Sequence, residues 1–510
     1  MLSLILRNDR GGCSHEDSQA GCGIAGTLVK ALAARIGSVL IAIALAGGGT
    51  PASPAVPDAG LVEDRLAPAL YPEGKPRPTF TIAERMRFYR VAAVSIAVVN
   101  DYRVAWARAY GLRNVAAKAP ADPSTLFQAC SMSKPVFAAG ILRLFEQRGL
   151  SLDRDVNAML HSWHVTLPPG GSPERITVRR LLSHTAGTNV PGFLGYDRDR
   201  PIPTLLQVLD GVRPANNEAI RVTSVPGSAF RYSGGGTTIG EQLVGDLTGE
   251  PFPAFMEQMI LRPLGMSEST FSQPLPESLR SRAADGYYSD GSPVHRGWHV
   301  YPTMAAAGLW STPADLAKFI IAIQSALKVA HDGPIDGVIA REMTTPSPGR
   351  EYALGLLVKG GYFMHAGANM GFQGEFLGLL RGGRGVAIMT NSDNGIHIAN
   401  EIVHAVATVY GWPVLQPAAK SAVSLDRAAL SAFVGLYRAR IESALVTLDI
   451  RLIGGTLSAR SSVDGLGTAL YAETAARFYT LEGATFVFTR DRGGKVASVE
   501  TGGVTYIRRP

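Results

Sequence analysis

The sequence predicts an α+β fold followed by a small antiparallel β domain, on three observations. Strand patterns stand early, over 92–108, and late, over 362–391. Helical patterns fill the interval between them. From Asp426 onward the pattern changes to short alternating segments, such as Ala444–Ile450 and Thr485–Thr489. At 510 residues the chain can hold more than one domain and a large core. It is 46% hydrophobic and 18% charged, with a net charge of +7. That excess is spread thinly, with no run of five or more Lys/Arg, which argues against a nucleic-acid partner.

The N-terminal region, 1–55, reads as a leader. Lys30 and Arg35 precede an apolar run, Ile36–Ala46, and then the small-residue stretch Gly47–Ala55. The apolar run is shorter than the ~20 residues a bilayer span needs, so no stable membrane span is expected in the mature chain. The expected location is exported, periplasmic or secreted. Asp9, Glu16 and Asp17 do not suit a leader, so translation is expected to start downstream of Met1. N-terminal sequencing of a precursor that begins at Met1 would contradict this. Cys13 and Cys22 lie before the apolar run, which leaves Cys130 alone in the mature chain and no intrachain disulfide. The sequence does not give the oligomeric state.

Residues 56–80 are Pro-rich and read as a linker. Ala92–Val99 reads as a buried strand, Asn100-Asp101 as a turn, and Arg103–Arg108 as the returning strand. Next comes Cys130-Ser131-Met132-Ser133-Lys134-Pro135 and an apolar run. Ser131 and Lys134 are three apart, so on a helix they share a face and the amine can reach the hydroxyl. Serine needs an adjacent base to act as a nucleophile. Lysine serves only if burial or charge lowers its pKa from about 10.4 toward neutrality. Pro135 costs little only within the first four helical positions, so the helix should start near Ser131 and run to about Gly149. A second S-x-x-K, Ser325 to Lys328, sits late in a continuing helix and has no free backbone donors. Cys130 lies one step off the Lys134 face and reads as a small packing residue.

Ile176–Gly187 reads as a short helix stopped by Gly187. Its His184 has no local carboxylate and reads as a histidine that pins a loop. Pro226–Thr238 holds Tyr232-Ser233-Gly234-Gly235-Gly236, a glycine turn before a helix over Ile239–Leu247. That turn should present Tyr232 at a rim. A neighbouring ammonium could lower its pKa and make it a base or proton shuttle. Tyr362–Phe372 reads as a strand carrying His365, with small residues where a second backbone or a substrate could approach. Gly385–Asn391 should be a strand of the same sheet. Residues 412–425 read as a second linker.

Three motifs thus stand in order: Ser131-Met132-Ser133-Lys134, Tyr232-Ser233-Gly234 and His365-Ala366-Gly367. This order resembles the serine β-lactamase and penicillin-binding protein superfamily, in its class C-like branch. The resemblance covers 81–411 and includes Leu181–Gly187, Pro263-Leu264-Gly265-Met266 and Gly308–Thr312. Residues 426–510 resemble the lipocalin-like domain appended to some members. The resemblance implies an antiparallel sheet flanked by helices. It makes Ser131 the acylated nucleophile, Lys134 its base and Tyr232 the proton shuttle. The N–H groups of Ser131 and Ala368 would form the oxyanion hole, with His365 and Gly367 in the substrate-binding third motif. It implies no cofactor or metal, and a small ester, amide or β-lactam as substrate.

There are two departures. The second motif usually ends in Asn, and here it is Gly234. The third begins with Lys in true β-lactamases, and here it is His365, mostly uncharged at neutral pH. Grip on a substrate carboxylate is thereby weakened. The expected function is an exported serine hydrolase working through an acyl-enzyme. The alternatives are a class C-like β-lactamase or D,D-carboxypeptidase, and an inactive cell-wall peptide-binding protein. A metal hydrolase is disfavoured. No H-E-x-x-H occurs, and His295-Arg296-Gly297-Trp298-His299 lacks a Glu and contains a Gly. No G-x-S-x-G elbow occurs, which argues against an α/β-hydrolase.

Overall fold

A seven-stranded antiparallel sheet joins the two ends of the 81–411 region. The computed structural model describes residues 59–167, 175–329, 332–441 and 444–509, so the leader read at 1–55 lies outside the described residues. The strands are β1 (Ala93–Asn100), β2 (Arg103–Asn114), β3 (Ala119–Pro120), β4 (Leu357–Lys359), β5 (Tyr362–Asn369), β6 (Phe372–Leu379) and β7 (Gly385–Thr390). Their order is β3-β2-β1-β7-β6-β5-β4. The joint is β7 against β1, with Val386 opposite Val98. As expected, Gly385–Asn391 contributes to the same sheet as His365.

β1 shows no alternation of exposure; all but its last residue are buried. A strand reads this way when helices cover both sheet faces. Ala93 and Ala97 face a cluster with Met132, Val136, Phe137 and Phe319. These come from the Ser131 turn, α1 (Ser133–Gln147) and a later helix, Pro313–Lys328. Val94, Ile96 and Val98 face the other way, onto Ile398 and Ile402 of the helix Gly395–Val409. The outer layer is locked by a buried ion pair, Arg85 Nε to Glu401 Oε2 at 2.7 Å. The predicted antiparallel sheet flanked by helices is the observed architecture.

Three local expectations change. The stretch read as a linker, 56–80, holds from Ala59 a helix, Ala59–Glu63, and a strand, Leu70–Pro72. That strand pairs in parallel with Ala418–Lys420, from within 412–425, the other stretch read as a linker. Val62, Leu66 and Trp412 are buried in the outer core. Proline removes hydrogen-bond donors but leaves these apolar side chains free to be buried. The short helix spans Val178–Leu182 and stops at Ser183, not Gly187. Ser183 Oγ donates to the Arg179 carbonyl at 2.7 Å, a side-chain bond that competes with helix propagation.

Strands over 435–508 form a closed eight-stranded antiparallel barrel in sequential order. Its interior is filled: Phe433, Tyr437, Phe478 and Phe488 belong to one buried cluster, with Phe433 and Phe488 rings 4.7 Å apart. A barrel of this size has just enough interior for its own side chains.

Candidate active site

Ser131 sits in a single 3₁₀ turn, Cys130–Met132, that feeds α1. The predicted start of the helix is met, and Pro135 falls at its third residue. Cys130 carries φ +55°, in the left-handed region that non-glycine residues rarely occupy. The turn is held in this shape by its neighbours. Cys130 Sγ bonds the Gln128 carbonyl at 3.2 Å, and Ser133 Oγ donates to the Cys130 carbonyl at 2.6 Å. Burial pushes the Cys130 thiol up, away from thiolate. It is a packing residue, as its position beside the Lys134 face suggested.

Lys134 Nζ lies 3.0 Å from Ser131 Oγ and donates to the Ala306 carbonyl at 2.7 Å. The side chain is 4% exposed, and burial lowers its pKa to about 7. The Ala306 carbonyl fixes one N–H and so aims the nitrogen at the serine. Ala306 belongs to a one-turn helix, Met304–Ala307, here α3 after α2 (Gly234–Thr248). By contrast Lys328 points away from Ser325, with Nζ 4.2 Å above the Tyr102 ring.

Tyr232 is not at a rim: it is 5% exposed and lies under the Lys134 amine, whose Nζ is 5.1 Å from the ring centre. Its hydroxyl pairs with the Ser131 side chain. Burial raises its pKa above the ordinary tyrosine value, so it stays a hydroxyl. The expected lowering by an ammonium is not seen, because burial outweighs the hydrogen bond with the Ser131 side chain, the one contact that lowers it. The reason for its depth is the glycine run. Gly234, Gly235 and Gly236 are not a loop but the first turn of α2, capped by Ser233 Oγ accepting from Gly236 N–H at 3.0 Å. A Cβ at Gly234 would meet Phe193 at 3.1 Å and the Pro191 carbonyl at 3.2 Å.

His184 pins this junction as expected: its Nδ1 accepts the Ser233 N–H at 3.2 Å, and its ring lies 4.4 Å from that of Tyr232. His365 lies on the same sheet face as Asn369 and is 5% exposed. Its Nδ1–H donates to the Ala366 carbonyl at 2.6 Å. Burial first, then the Lys134 charge, push its pKa to about 3, so it is neutral at pH 7.

Gly367 brings β5 against the nucleophile turn. A Cβ there would sit 2.6 Å from the Ala129 carbonyl oxygen and 2.9 Å from Ser131 N. Asn369 and Phe372 flank the two-residue turn Met370-Gly371, so they close it as a hydrogen-bonded pair. Bonded pairs alternate in an antiparallel ladder, so the next residue, Ala368, turns its N–H away from β6. β4 covers β5 only over Tyr362–Met364, so that N–H stands on an open edge beside Ser131.

The structure thus gathers Ser131, Lys134, Tyr232, His365, Gly367 and Ala368 in one place. Sequence reasoning missed Ala306, which contributes only a carbonyl and has no side-chain signal. It also missed Asn369, whose Nδ2 ties Gln128 Oε1 (2.8 Å) to the Ala307 carbonyl (3.1 Å). An amide directly after His365–Ala368 was the available hint. His295 and His299 are spent on Asp199 (2.9 Å) and Asp197 (3.1 Å).

The Beta-lactamase family pattern matches residues 81–409. Esterase EstB of Burkholderia gladioli is 31% identical over 205 residues, 38% of this chain and 51% of that protein. Protein flp of Staphylococcus aureus is 26% identical over 234 residues, 44% of this chain and 42% of that protein. The chain spans about half the length of the curated relatives it matches. Among solved structures, the octameric penicillin-binding protein homologue from Pyrococcus abyssi superposes with a TM-score of 0.56 at 23% identity, over 84% of this chain and 98% of that one, a likeness of fold. With the family pattern covering well over half of its length, this chain belongs to the Beta-lactamase family.

Proposed function

We propose that the protein is a serine hydrolase that cleaves a small uncharged ester through an acyl-enzyme on Ser131. The observation that carries the reading is the buried Lys134 amine, 3.0 Å from Ser131 Oγ with its pKa at about 7. As the free base it takes the hydroxyl proton while Oγ adds to the ester carbonyl. The Ser131 and Ala368 N–H groups hold the oxyanion. The proton passes through the Tyr232 hydroxyl to the departing alkoxide. Water then gives a proton to Lys134 as it adds to the acyl carbonyl, and Lys134 returns that proton to Ser131 Oγ as the C–Oγ bond breaks and the acid leaves.

His365, neutral and turned onto a backbone carbonyl, offers no charge to a substrate carboxylate. That favours an ester over a penicillin or a peptide C-terminus, in line with the esterase name of one relative. The test is turnover of p-nitrophenyl butyrate and of a chromogenic cephalosporin by the protein and by Ser131→Ala. Ester cleavage lost in the variant is expected, with little cephalosporin turnover. Cephalosporin turnover at comparable kcat/KM would reassign the substrate to β-lactams, and activity that survives Ser131→Ala would end the reading. We also propose export, on the Lys30 to Ala55 pattern. Recovery of only uncleaved chain in the cytosolic fraction would contradict it.

A further inference from the structure

Glu241 lies on α2 and is 1% exposed. Its Oε2 accepts the Ala305 N–H at 2.8 Å, and the Met304 N–H also faces the carboxyl. These bonds cap α3, whose own N-cap, Thr303, supplies no side-chain bond. The other oxygen, Oε1, is buried and has no partner among the described residues. A polar atom left in this state carries a desolvation cost that a donor would relieve.

Glu241 also lines a cavity of about 290 Å³. That is near the lower end of small-molecule sites, roughly 300–1,000 Å³. Ile202, Leu205, Phe252 and Met304 give it an apolar wall. Two glutamines also line it: Gln242 Nε2 donates to Ser162 Oγ at 2.7 Å and Asp246 at 3.0 Å, and Gln273 Nε2 donates to the Gly308 carbonyl at 2.8 Å. Among the described residues no Lys, Arg or His lines the cavity, and neither does Ser131 or Tyr232. Its only ionisable group is an acid with an unmet oxygen. We propose that this cavity is a second binding site, for a primary ammonium on a small apolar body, with Glu241 as its counter-ion.

The chemistry selects the class. An ammonium brings N–H donors to Oε1 while Oε2 keeps the Ala305 N–H. An apolar body covers Ile202, Phe252 and Met304. An anion would meet a carboxyl and no cation. Burial raises the Glu241 acid to about 8, and an adjacent ammonium offsets this by favouring the carboxylate.

The test is calorimetric titration of the full chain with benzylamine, with benzyl alcohol as the uncharged isostere. Gly245 lines the same cavity, and a Cβ there meets nothing within 4 Å, so Gly245→Leu extends an apolar side chain into that space. Glu241→Gln keeps a carbonyl for the Ala305 N–H and removes the charge. Benzylamine should bind the native chain, bind Glu241→Gln at least about tenfold more weakly, and fail to bind Gly245→Leu. Benzyl alcohol should bind at least about tenfold more weakly than benzylamine. No binding of benzylamine up to about 10 mM overturns the proposal, as does equal binding of the alcohol. Binding retained in Gly245→Leu overturns it too, since the amine then sits elsewhere, for instance at Ser131.

Discussion

Lys134 is reactive because of where its amine is held, and this gives a pH dependence with a definite sign. The proposed base is the free amine, and burial places its pKa at about 7. Below that value the amine is protonated and the serine has no acceptor. Ester kcat/KM should therefore fall about tenfold per pH unit below about pH 7 and level off above it. A flat profile from pH 5 to 8 would rule Lys134 out as the base. Tyr232 acts as a hydroxyl, not as tyrosinate, so Tyr232→Phe should lower kcat by roughly 10²–10⁴ without moving that limb. A limb displaced by a unit or more in Tyr232→Phe would place the titration on the tyrosine. Gly367 is set by contact with backbone, at 2.6 Å from the Ala129 oxygen, and backbone cannot step aside. Gly367→Ala should destabilise by about 1–3 kcal/mol and cost ester turnover as β5 shifts from Ser131. An unchanged melting temperature and rate would show that the strand has slack.

Among elements, α2 departs most from its sequence pattern. The glycines looked like a turn, yet they are the first turn of a helix packed against Phe193, Pro191 and Ile220. Packing against those neighbours outweighs the poor helix propensity of three glycines. Gly234→Asn would restore the residue usual at the end of the second motif. Here it should lower the melting temperature and give no cephalosporin activity, because Phe193 and the Pro191 carbonyl occupy the space the side chain needs. Cephalosporin turnover gained in Gly234→Asn would show that the missing amide alone sets the substrate. The strand pair Leu70–Pro72 and Ala418–Lys420 teaches the same lesson from the other side. Proline-rich composition suggested linkers, but a parallel pair far apart in sequence leaves no local periodicity to read.

At the scale of the molecule, the barrel docks behind the sheet, away from Ser131. Leu481 accepts the Leu70 N–H at 2.8 Å, Tyr479 donates to the Lys420 carbonyl at 3.0 Å, and His397 lies 3.7 Å from Asp464. His397 belongs to the helix Gly395–Val409, on the face opposite α1. The barrel therefore braces the outer layer. Deleting 426–510 should lower the melting temperature yet leave ester kcat/KM within about twofold, on the rule that distant independent sites do not couple. A large change in KM at an unchanged fold would assign the barrel a gating role.

What the sequence determined by itself is whatever rests on short spacing. Ser131 and Lys134 share a face because a helix brings i and i+3 together, and β1, β2 and the barrel strands announce themselves by local pattern. The order of the three motifs was legible too. Tertiary structure decided what depends on partners far along the chain. It set the depth of Tyr232, the neutrality of His365, the Ala306 carbonyl that aims Lys134, and the cavity beside Glu241. Charge state and hydrogen-bond direction follow from burial, and burial is a property of the packed whole that no single stretch of residues encodes.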